Sequence, residues 1–90
     1  MNVEVQIYLK NIQSFFENDE ESFQELFGGN KEYFKRFLTE VTSVAEDNYN
    51  NTGIPTLSVN QLMGLVFDVT SKPINPTTFK FKDFPNISLN

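Results

Sequence analysis

The chain contains no cysteine, no histidine and no tryptophan, and Arg36 is its one arginine. Without cysteine there is neither a disulfide framework nor a thiolate zinc site, and the pattern fits a reducing compartment, so a cytoplasmic location is expected. Without histidine the commonest general base is missing, and without cysteine a principal nucleophile. An enzyme is therefore not expected, nor is a cofactor. No stretch approaches the roughly 20 apolar residues that span a bilayer, and Met1-Asn2-Val3-Glu4 opens without a basic segment. Neither a membrane association nor a signal-directed secretion follows, and the N-x-S/T triplets at Asn50 and Asn86 are discounted with them.

Positive charge is also scarce. Twelve acids stand against seven bases, a net charge of −5, and five of the acids fall between Glu17 and Glu25. Binding nucleic acid relies on cationic side chains that displace counterions, so direct contact with DNA or RNA is disfavoured. An acidic surface of this kind keeps a protein dispersed or approaches a basic patch on another protein.

What the chain does hold is phenylalanine, ten in 90 residues. Splitting so short a chain would leave pieces unable to bury enough apolar surface, so residues 1–90 are read as one helical domain: a helical core over 1–72 and an extended segment over 73–90. Val5, Leu9, Ile12 and Phe16, with Tyr8 and Phe15 beside them, follow the i, i+3, i+4, i+7 pattern of an amphipathic helix. The competing reading is a strand, because Val3, Val5, Ile7 and Leu9 alternate with polar neighbours, but the alternation stops at Lys10 while the helical pattern continues to Phe16.

Asn18 or Asp19 then caps a short second helix, with Glu20 and Glu21 in the turn where acids complement the helix dipole and Gly28-Gly29 at its end. Asn30 caps a third, whose Phe34, Phe37, Leu38, Val41, Val44 and Ala45 share a face and whose Glu32 and Arg36 have the spacing of an ion pair. Asn48 to Pro55 reads as a loop. Ser58-x-x-Gln61 is a capping box opening a fourth helix through Leu62, Met63, Val66 and Phe67, in which Gly64 suggests a close helix crossing. The remainder, Pro73 to Asn90, has three prolines, and its Phe79, Phe81, Phe84, Ile87 and Leu89 suit an extended segment packed across the helices, with a short strand at Thr77 to Lys82. The fold expected is all-α, a bundle of about four helices.

The chemical motifs in the chain are incomplete. Asn48-x-Asn50-x-Thr52-Gly53 imitates the first half of an EF-hand loop, but Val59 occupies the position of the bidentate Glu and Pro55 interrupts the centre, so no metal site is assigned. The third helix, loop and fourth helix suggest a helix-turn-helix, yet Ser58 to Ser71 holds no Lys or Arg for phosphate or base contacts. Asp68, with Lys72 four residues on, is read as the polar face of its helix.

Val3 to Asn11 followed by Phe15-Phe16, the Thr56-Leu57-Ser58-x-x-Gln61 helix start and the ending Phe84-Pro85-Asn86-Ile87-Ser88-Leu89-Asn90 resemble short proteins encoded by tailed phages of marine bacteria, including cyanophages. The resemblance covers most of the chain as pattern. It implies a viral origin and a location in the host cytoplasm or the virion, and brings no activity or functional residue with it.

The function expected is therefore a non-enzymatic protein-interaction module, in a phage setting an accessory factor that binds a host or viral protein. The alternative is a small structural, oligomeric component of a virion. The contact residues expected are Glu17, Asp19, Glu20, Glu21 and Glu25 on the acidic face, and Phe79, Phe81 and Phe84 in the aromatic tail.

Overall fold

Four helices form from local signals that agree with their packing. A computed structural model describes residues 2–88. Helix α1 spans Val3–Asn18, α2 Glu20–Phe27, α3 Lys31–Thr52 and α4 Val59–Thr70, and among the described residues no strand forms. The first segment is thus helical throughout, and its buried stripe is Val5, Tyr8, Ile12 and Phe16, with Tyr8 taking the place expected of Leu9. Each N-terminus is capped by a side-chain oxygen. Asn2 accepts from the Glu4 amide, Asp19 from Ser22, Asn30 from Glu32 and Tyr33, and Ser58 from Gln61 in a complete capping box. Such acceptors satisfy amides that have no intrahelical partner.

Helix α3 is the spine, packing against both α1 and α4, while α2 touches all three of the others. It also runs further than expected. Asn48 to Thr52 continue the helix, and the loop begins only at Gly53, which takes the left-handed conformation at φ 81° and donates its N–H to the Tyr49 carbonyl. The Asn-rich turn survives because its amide has partners elsewhere: Asn48 Nδ2 donates to the Thr56 carbonyl and to Gln61 Oε1, each at 2.9 Å, and Gln61 Nε2 returns a bond to Asn48 Oδ1 at 3.1 Å. Asn48, Asn50 and Thr52 therefore lie on a continuous helix, not on a ligand-bearing loop. Gly64 is corrected as well. Space is open around it, so no helix crosses close there.

The tail folds back onto the helices. Ile74, Phe79 and Phe84 join the same buried cluster as the helix faces, and the radius of gyration, 12.2 Å, is that of a compactly folded chain of this length. The strand expected at Thr77 to Lys82 does not form. Asn75 instead organises a turn, accepting from the Thr77 amide and hydroxyl through its side chain and from the Thr78 and Phe79 amides through its carbonyl. A 3-10 turn at Phe81–Asp83 follows. Beyond it one parallel bridge joins Ser88 to Ser58, with the Ser88 amide donating to the Leu57 carbonyl at 2.9 Å and the Val59 amide to the Ser88 carbonyl at 2.8 Å. Leu89, expected in this apolar series, lies outside the described residues.

The Tyr8 hydroxyl closes the seam. It accepts from the fully buried Leu57 amide at 3.0 Å and donates to the Asn86 carbonyl at 3.4 Å, tying α1 to the α3–α4 loop and the tail. Burial raises its pKa above the ordinary tyrosine value, with the Leu57 hydrogen bond acting in the opposite direction.

Tyr8→Phe keeps the ring but strands the Leu57 N–H, at an expected cost of about 1–3 kcal/mol in chemical denaturation. Because the folded state holds the hydroxyl neutral, that residue's contribution is complete below the unfolded pKa of about 10 and is lost as pH rises through the higher folded value. Tyr8→Phe should therefore show a flatter alkaline limb of stability than the parent. Gly64→Ala should stabilise α4 by about 1 kcal/mol, read as a rise of a few degrees in the thermal midpoint.

Candidate functional site

Phe16 ends the buried stripe of α1, Phe23 stands one turn into α2, and Phe34 lies in the first turn of α3, so the three helix ends meet ring to ring. Phe16 and Phe34 have centroids 5.6 Å apart, and Phe23 and Phe34 5.5 Å, both edge to face. Phe16 is buried, whereas Phe23 and Phe34 are only half-buried. Their uncovered faces line a cleft of about 450 Å³. Glu17 and Glu20 rim it from the α1–α2 junction, and Lys31 and Lys35 rim it from α3, all four exposed. An apolar floor with a charged rim is the arrangement that recognition surfaces use: area to desolvate at the centre, polarity to orient at the edge.

The acidic run between Glu17 and Glu25 is thereby divided. Glu17 and Glu20 belong to the aromatic cleft, while Asp19, Glu21 and Glu25 lie on a separate groove between α2 and the tail, beside Lys80 and Asp83. Asp19 is a structural cap: it accepts from the Ser22 amide at 3.1 Å and from the Ser22 hydroxyl at 2.8 Å, bonds that hold its carboxyl below the usual aspartate range. Glu25 Oε2 accepts from the Thr78 hydroxyl at 2.6 Å and so fastens the tail to α2. Glu21 stays exposed in this groove.

The tail packs on the helices as expected, but two of its three candidate contact residues are enclosed by that packing. Phe79 and Phe84 are each 3% exposed, so in this conformation they are core and not contact surface. Exposing them would forfeit apolar burial that so short a chain needs, which is why they turn inward. Phe81 is half-buried with its ring 5.1 Å from Phe79. Asp68 and Lys72 are exposed at the end of α4.

Local spacing does not mark Phe23, Phe34, Lys31 and Lys35 as contact residues. Phe34 and Phe37 fall on one helical face by spacing, and only the packing shows that Phe37 is fully covered while Phe34 keeps an open side. A fainter signal was present. Glu17 in the last turn of α1 and Lys31 at the first position of α3 each occupy the helix end that their charge disfavours.

A second, shallower groove of about 190 Å³ holds Ile7 and Ile54, exposed by 53% and 58%, beside Glu4 and Pro55. Among the described residues no helix is long and apolar enough to cross a membrane. No protein-family model, curated protein or solved structure matches this chain.

The Asp19 cap carries a pH signature. Its folded pKa is depressed, so its contribution is complete above the unfolded value near 3.9 and is lost as pH falls through the lower folded value. Asp19→Asn caps without titrating, and its denaturation midpoint should fall less steeply than the parent's below about pH 4.

Proposed function

We propose that the protein is a non-enzymatic protein-interaction module whose contact surface is the aromatic cleft between the ends of α1, α2 and α3. The observation that carries this reading is the pairing of half-buried Phe23 and Phe34 with a rim of two glutamates and two lysines. A partner's apolar side chain gains burial against the rings, and the rim charges set its orientation. The lining offers apolar area and solvated charge, which serve binding. A protein partner is favoured over nucleic acid by the net charge of −5 and by the lack of any Lys or Arg from Ser58 to Ser71. In the phage setting that the sequence resemblance implies, the module is an accessory protein of the host cytoplasm or the virion, and its partner a host or viral protein.

Site-specific photo-cross-linking tests the surface. Replacing Phe23 with benzoyl-phenylalanine keeps an aromatic ring and all four rim charges, and the same replacement at Phe67, exposed on α4 and outside the cleft, is the control. Irradiation of the pure protein and of a bacterial host extract should give a discrete protein adduct from position 23 and not from position 67. No adduct from 23, or equal smears from both positions, would remove the cleft as the contact surface.

A further inference from the structure

The rim of the cleft is bipolar. Both acids come from the α1–α2 junction and both lysines from α3, so the two signs sit on different walls of one apolar floor. A two-fold axis running between the two walls and parallel to them lays the acidic wall of each molecule on the basic wall of the other and sets Phe23 and Phe34 of the two floors facing one another. An isologous interface needs this kind of self-complementary patch. We infer that the partner received by the aromatic cleft is a second copy of this chain, in a two-fold dimer held by paired aromatic floors and reciprocal glutamate–lysine contacts.

Charge placement elsewhere favours the same orientation. The cleft carries equal charge of both signs on a chain of net −5, so two copies repel over most approaches and repel least where the two clefts face each other. Glu17 and Lys31 also oppose the dipoles of their own helices, so their positions are not explained by helix stability; across the two-fold each meets an opposite charge.

The inference rests on the cleft being a contact surface, and a charge-swap experiment separates the two claims. Glu17→Lys with Glu20→Lys makes both walls basic, and Lys31→Glu with Lys35→Glu makes both acidic. All four side chains are exposed, so each variant should keep the parent's helical circular dichroism. By sedimentation equilibrium the parent should dimerise over a concentration series, more weakly as salt is raised. Each variant alone should lose at least about tenfold in dimer affinity, and an equimolar mixture of the two should recover a heterodimer. A parent that stays monomeric at every concentration would overturn the second copy as occupant, while a cross-link from position 23 to a foreign protein would leave the interaction reading standing. A dimer that persists equally in both variants would overturn this cleft as its interface. Absence of any adduct from position 23 beside such a charge-insensitive dimer would sink both.

Discussion

The ring of Phe16 is the point on which the architecture depends. Its centroid lies within 6.0 Å of five other rings, those of Phe15, Phe27, Phe34, Phe37 and Phe84, drawn from α1 itself, α2, α3 and the tail. Every one of these contacts is edge to face, the geometry that sets the positive edge of one ring against the negative face of another. Beyond the area buried, each pair contributes about 0.5–1.5 kcal/mol. A domain of this size has little surplus stability, so a residue joining α1, α2, α3 and the tail at one point contributes a large share of what holds them together.

Two polar seams do what an aromatic cluster cannot, which is to specify register. The reciprocal amide pair of Asn48 and Gln61 locks the last turns of α3 to the first turn of α4, and the same Gln61 carbonyl accepts from the Ser58 amide to complete the capping box. The Tyr8 hydroxyl and the Ser58–Ser88 bridge hold the tail across the far side. Hydrogen bonds are directional and buried ones are costly to leave unmade, so these few contacts fix how the apolar faces are aligned.

The aromatic cleft is a consequence of how the helix ends converge. Asp19 alone separates α1 from α2, so the chain must reverse within one residue, and only three residues lie between α2 and α3. Three helix termini crowded together leave wedge-shaped space that short side chains cannot fill, and two phenylalanines are left with one face each uncovered. The same crowding brings Glu17 and Glu20 near Lys31 and Lys35, residues that are 11 to 18 positions apart in the chain. Function, in the reading proposed here, draws on the incomplete part of the core.

Helix positions were legible in the chain because they are decided locally: Asn30, Ser58 and Gln61 as caps, Gly28 as a left-handed stop, and apolar spacing near 3.6 between them. Where local signals misled, a distant partner was responsible. The Asn-rich end of α3 looked like a loop because nothing nearby satisfies Asn48, whose partners lie 8 and 13 residues away. That the tail packs on the helices was legible from its apolar residues, but the strand at Thr77 to Lys82 and the contact role of Phe79 and Phe84 were misread, because alternation records only that Phe79 and Phe81 differ from their neighbours, not where they face. The acidic run looked like one surface, although helix geometry sends Glu17 and Glu20 to the cleft and Glu21 and Glu25 to the tail. Composition and local spacing determined an all-α class, the helix limits at their capped ends and the phenylalanine-rich character of the core. Which rings are closed over, which stay half open, and which charges meet around them was decided only by the tertiary packing, because each depends on residues far apart in sequence competing for the same space.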